Sequence, residues 1–258
     1  MKEPLVSIIC DAFNQEAYIA TCLEGFINQK TDFPFEVLIH DDASTDNTAA
    51  IIREYENKYP HIINPVYQTE NKYSKGIGIW FTYQFPRVKG KYIALCEGDD
   101  YWSDPLKLQK QVDFLEANPE YGLCYTKTNV YFQSTNEIGE ETWGEAIRNV
   151  HDLILYGNKI CTLTTCFRAS LAQEFIEKAE KVSASWKMLD YPMWIYLSLK
   201  SKIHFMDCST SVYRYLQESA SHSSNEEKNI LFAENASDIK LYFTREYFDT
   251  TFHKEVFS

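Results

Sequence analysis

The chain has 258 residues and a formal net charge of -12, long enough to bury a sizeable core. So much acid argues against broad contact with nucleic acid, where a basic face supplies most of the affinity. It still leaves room for a small phosphorylated ligand, since a divalent metal or a helix N-terminus neutralises phosphate locally.

Seven cysteines without a Cys-x-x-Cys pair read as reduced, mostly buried thiols, not as a disulfide framework or zinc site. The start, Met1 to Pro4, lacks a signal-peptide pattern, and no apolar run approaches the roughly 20 residues that span a bilayer. The expected location is cytoplasmic, at most on the inner face of the cell membrane.

In chain order, Leu5 to Cys10 is a short apolar run that predicts a buried strand. Ile19, Leu23, Phe26 and Ile27 follow at helical spacing. Phe35 to His40 is a second strand. The turn and cap residues Asp41 to Thr48 then feed a helix with Ile51, Ile52, Tyr55 and Tyr59 on one face. Pro65 to Thr69 predicts a third strand, Asn71 to Gly78 a loop, and Lys91 to Glu97 a fourth strand. This alternation implies a mostly parallel sheet with helices on both faces.

Beyond Trp102 the pattern loosens. Helices are expected from Ser103 to Ala117, Ser170 to Val182, Tyr191 to Ser201 and Glu226 to Phe248, and strands at Tyr121 to Phe132 and Lys159 to Phe167. No flexible linker divides the chain, so the reading is one domain, 1–258, with halves 1–102 and 103–258.

Ligands of an open parallel sheet collect beyond the carboxyl ends of its strands. Three strand ends here carry conspicuous residues: Asp11-Ala12-Phe13-Asn14, Asp41-Asp42 and Glu97-Gly98-Asp99-Asp100. Any one could be turn chemistry. Carboxylates as crowded as the last group repel and raise one another's pKa unless a cation or strong donors intervene. Paired Asp oxygens suit a hard ion such as Mg or Mn. Neither Gly-x-Gly-x-x-Gly nor Gly-x-x-x-x-Gly-Lys occurs, which disfavours dinucleotide and P-loop sites.

The stretches "PLVSIICDAFNQEAYIATCLEGFINQ", "FEVLIHDDASTDNT" and "GKYIALCEGDDYW" resemble the successive signatures of family 2 glycosyltransferases. The likeness is close from Pro4 to Asn118 and looser beyond. It implies a GT-A fold, a Rossmann-like mixed sheet flanked by helices with a C-terminal acceptor-side region. It also implies an inverting, metal-dependent transferase that moves one sugar from a nucleotide sugar, UDP-linked by preference, to a glycan or lipid-linked acceptor of a surface polysaccharide.

By the same resemblance Ala12, Phe13 and Asp42 line the base and ribose pocket. Asp99 and Asp100 hold Mn or Mg and the sugar nucleotide, and Glu97 stands where many relatives have Asp. Asp11 takes a position where Pro or Thr is common, and Ala43 replaces a frequent Gly. Asp190, before an apolar helix, is the expected general base, a role compatible with capping that helix. Arg214 in the late Tyr-Arg pair would support the catalytic carboxylate or approach a phosphate, and His222 in the Ser-rich loop would add a metal contact. Lys75 could meet a phosphate, Thr162, Thr164 and Thr165 the acceptor, and Trp102 and Trp186 a sugar face, each with a plain structural alternative.

Two other functions compete. A nucleotidyltransferase should carry a Gly-rich, basic phosphate loop after the first strand, and Cys10 to Tyr18 has neither Gly nor a basic residue. A catalytically silent binding module is disfavoured by the presence of Asp99, Asp100 and Asp190. The absence of Gln-x-x-Arg-Trp argues against a processive synthase.

Overall fold

Strand β1 (Val6–Ala12) buries Val6, Ile8 and Cys10 on one face of a sheet and Ile9 on the other. That two-sided burial is what an apolar run between two helical layers requires. Helix α1 (Ile19–Ile27), strand β2 (Phe35–Asp41), helix α2 (Thr48–Lys58), strand β3 (Ile63–Tyr67) and strand β4 (Tyr92–Leu95) complete a parallel unit in the spatial order β3-β2-β1-β4. The structure is a computed structural model that describes residues 3–183, 186–219, 223–249 and 252.

Between β3 and β4 the expected loop is only part of the path. A 3-10 turn at Tyr73–Lys75 is followed by a single π-turn, Trp80–Gln84, and a second 3-10 turn, Phe85–Arg87. Strand β5 (Tyr101–Trp102) and helix α3 (Lys107–Ala117) come next. Gly25 in α1 lies against β5, where an added Cβ would sit 2.9 Å from the Trp102 backbone.

The second half supplies strand β6 (Tyr121–Phe132), strand β7 (Glu137–Trp143), helix α4 (Val150–Tyr156), strand β8 (Cys166–Arg168), helix α5 (Ala169–Val182), helix α6 (Asp190–Lys200), strand β9 (Lys202–Tyr215) and helix α7 (Glu226–Tyr247). Its strands extend the same sheet, β4-β8-β6-β9-β5, with β7 alongside β6. Strands β6 and β9 are parallel, while β8 runs antiparallel to both β4 and β6.

The predicted strand from Lys159 to Phe167 is corrected to a 3-10 turn, Thr162–Thr164, leading into three-residue β8. The cause is local. Thr164 Oγ1 donates to the Cys161 carbonyl and Thr165 Oγ1 to that of Thr162, bonds that compete with a ladder. Among the described residues no helix is long and apolar enough to cross a membrane.

Candidate active site

The ends of β1, β2 and β4 are tied into one rim by their backbones. The Asp42 N–H donates to the Ala12 carbonyl (2.9 Å), the Cys96 N–H to Ile9 (3.1 Å) and the Gly98 N–H to Asp11 (3.1 Å). The segments after β1 and β2 are then clasped by side chains. Asn14 Oδ1 accepts from the Thr45 N–H, Ser44 Oγ from that of Asn14, Asp46 Oδ2 from that of Glu16, and Glu16 Oε2 from that of Asn47. These polar letters are therefore structural. Ala43 and Asn14 sit in the left-handed region, at φ 62 and 52, which is the conformation a glycine would take without strain.

Asp42 is buried, and its carboxylate is already engaged. Oδ1 accepts from the Lys72 N–H (2.7 Å) and Oδ2 from the Tyr73 N–H (3.0 Å). It anchors the loop that carries Tyr73, while Phe13 stands exposed at the tip of β1. Lys75 and Lys72 both pair with Glu70. Ala12 is buried beneath the rim.

The turn after β4 is different in kind. Gly98 lets it lie close, since an added Cβ would come within 2.4 Å of Gln15 Oε1. Burial, then the charges of Asp99, Asp190 and Asp11, push Glu97 up to about 8. Burial also holds Asp100 well above the ordinary carboxylate range, reinforced by Asp99 and Glu97, and it raises Asp99 against the pull of Arg214.

Arg214 braces this turn from behind. Its backbone N–H donates to Asp100 Oδ1 (2.7 Å), Nε to the Asp99 carbonyl (2.8 Å) and Nη1 to Gln133 Oε1 (2.8 Å). The guanidinium lies over the rings of Tyr18, Tyr131 and Tyr101, at 4.5, 5.0 and 6.0 Å. Sequence reading missed this three-tyrosine seat, because nothing in the spacing relates Tyr18 to Arg214.

Asp190 opens α6, and its Oδ2 accepts from Asn158 Nδ2 (3.2 Å) and Thr162 Oγ1 (3.3 Å). Burial raises its pKa, opposed by the Tyr191 N–H and Thr162. Its charge reaches Glu97 at the start of the acid turn. Of the three threonines only Thr162 bonds Asp190. Trp102 donates Nε1–H to the Leu163 carbonyl (2.9 Å) and meets the edge of Phe26. Trp186 packs on Tyr242 and Phe243. Trp102 is buried in the core, and Trp186 is partly buried against it. His222 lies outside the described residues.

Residues 7–176 match the family described as Glycosyl transferase family 2. The chain belongs to that family. An uncharacterized protein of Mycobacterium tuberculosis is 34% identical over 212 residues, covering 81% of this chain, and the chain spans 58% of that relative's length. The Escherichia coli UDP-Glc:alpha-D-GlcNAc-diphosphoundecaprenol beta-1,3-glucosyltransferase WfaP is 26% identical over 191 residues, 74% of this chain and 69% of its own. Among solved structures, S. aureus TarS 1-349 in complex with UDP-GlcNAc superposes with a TM-score of 0.71 at 18% identity, over 97% of this chain and 70% of TarS. The fold is thus the GT-A fold of family 2.

The residues of this family 2 site fit a divalent cation. All the donors are hard carboxylate oxygens, and they are buried close enough to raise one another's pKa, the situation a cation relieves. The Arg214 N–H occupies a single oxygen of Asp100. Among the described residues no three side chains form a complete metal-binding group. A metal held by Asp99 and Asp100 would therefore complete its shell with diphosphate oxygens and water.

Proposed function

We propose that this chain is an inverting, metal-dependent glycosyltransferase. It moves one hexosyl or N-acetylhexosaminyl unit from a UDP-linked donor to a glycan or lipid-linked acceptor. The observation that supports the reading is that Asp190, oriented by Asn158 and Thr162, lies within electrostatic reach of Glu97 at the start of the acid turn. A carboxylate with a raised pKa accepts a proton more readily than an exposed one. Asp190 takes the proton of the acceptor hydroxyl as that oxygen bonds to the anomeric carbon. The bond from that carbon to the diphosphate breaks on the opposite face, and its electron pair leaves with the nucleoside diphosphate. Bound at Asp99 and Asp100, Mn or Mg supplies Lewis-acid stabilisation of the departing charge. Arg214 fixes the turn that presents those carboxylates, Phe13 faces the base, and Asp42 anchors the Lys72–Tyr73 loop beside it.

A UDP donor is supported by the complex of TarS with UDP-GlcNAc and by the UDP-Glc donor of WfaP. The lipid-linked acceptor of WfaP supports a place in surface-polysaccharide assembly, at the inner face of the cell membrane.

The test is thermal stabilisation by UDP, GDP and dTDP, each with and without Mn. A ligand that binds only the native state raises the melting temperature with its occupancy. Metal-dependent stabilisation by UDP is expected. A folded sample indifferent to all three nucleotides sinks the proposal.

A further inference from the structure

Strands β1 and β4 are in parallel register at Ile9 and Leu95, so two residues on, Asp11 and Glu97 stand side by side on the same face of the sheet. With Trp80 and Cys96 these residues line a recess of about 10 Å³, room for about one water or hydroxyl. Asp11 is held rigidly at its wall. Oδ2 accepts from Trp80 Nε1 (3.0 Å) and Oδ1 from Gln84 Nε2 (2.6 Å), while Gln84 Oε1 accepts from Arg87 Nη2 (2.8 Å). The π-turn Trp80–Gln84 thus supplies both side-chain donors to this carboxylate.

On the proposed function, the transferred sugar lies between the diphosphate at Asp99 and Asp100 and the base Asp190. Glu97 lines the recess together with Asp11 and opens the turn that carries Asp99 and Asp100, whose Gly98 N–H bonds the Asp11 carbonyl, so the recess adjoins that path. We propose that Asp11, Trp80 and Glu97 line the donor-sugar subsite, and that the Asp11 carboxylate restricts the enzyme to uncharged donor sugars and excludes uronic acids. Trp80 offers an apolar ring edge to the sugar's C–H face, and its N–H is already spent on Asp11. A sugar carboxylate placed here meets fixed negative charge with no mobile partner, and like-charge juxtaposition in a partly desolvated site is strongly unfavourable. Asp11 stays ionised in mildly alkaline buffer, because burial raises it only to about 6.

The experiment measures Kd for UDP, UDP-glucose and UDP-glucuronic acid with Mn in mildly alkaline buffer, for the wild type, Asp11→Asn and Trp80→Phe. The readout is the ratio of the two sugar nucleotides, in which any general change in nucleotide affinity cancels. The wild type is expected to prefer UDP-glucose by about tenfold or more, and Asp11→Asn to collapse the preference several-fold. Trp80→Phe, which keeps the charge, should retain it. Equal wild-type affinities overturn the inference even if the variants do not fold, and so does a ratio unmoved in folded Asp11→Asn, which would make Asp11 only an anchor of the π-turn. Failure of UDP itself to bind is the separate result that removes the underlying glycosyltransferase reading and the subsite with it.

Discussion

Two acidic strand ends look alike in sequence and behave oppositely in the fold. After β2, Asp42 is buried with both carboxylate oxygens accepting backbone N–H groups. After β4, Asp100 is buried with Glu97 and Asp99 half-buried beside it, and desolvation raises the pKa of all three. The first end is satisfied by backbone donors, whereas the second is the one to which the proposed function assigns a metal and the diphosphate. What marks a reactive centre is acid without enough donors.

The comparison can be broken by substitution. Asp190→Asn should cut kcat by about a thousandfold, the scale of general-base loss, with UDP affinity nearly unchanged by calorimetry. A matching loss of binding would make Asp190 only the cap of α6. Asp99→Asn should lower metal-dependent turnover by about a hundredfold and abolish the Mn increment in melting temperature. Activity equal to wild type would remove its metal role.

At the other end, Asp42→Ala should destabilise the protein by about 2 kcal/mol, since two buried N–H groups lose a charged acceptor. Urea denaturation measures this, and a neutral result would mean the Lys72–Tyr73 loop finds other partners.

Without metal, stability should fall as pH rises from the ordinary carboxylate range to about 8, then level off. Glu97, at about 8 in the fold against 4.5 when free, binds its proton more tightly folded than unfolded, so ionising it costs stability. Glu97→Gln should flatten that slope in a melting-temperature series, and an unchanged slope would assign it to other groups. The smallest effect is Ala43→Gly, expected to add about 1 kcal/mol by relieving the left-handed backbone at φ 62.

The parallel unit was legible because each strand is a short apolar run closed by turn residues, and each helix carries an apolar stripe. The position of the acid cluster at the end of β4 and of Asp190 at the start of α6 was legible in the same way. Elements that bury little could not be read this way. Strand β7, Glu137–Trp143, is almost wholly exposed and shows no alternation. The long strand β9 changes register against β6 around Thr126 to Thr128, so its side chains do not keep period two. The pairing of Asp11 with Trp80 and Gln84 joins residues 69 and 73 positions apart, which no local pattern can signal. Lys107 is a similar case. Within the predicted helix it is buried over Trp102 and bonded to Gln111, and desolvation lowers its pKa to about 8.

The bond from the Arg214 N–H to Asp100 spans 114 residues, and this separation has a kinetic consequence. During synthesis the chain can assemble β1 to β4 and their clasp long before Arg214 leaves the ribosome. Loop-closure entropy must be met before so distant a contact helps. The turn that presents Asp99 and Asp100 would then be among the last parts to become rigid. A nascent chain ending before β9 would carry the rim of β1, β2 and β4 with the acid turn still unbraced by Arg214.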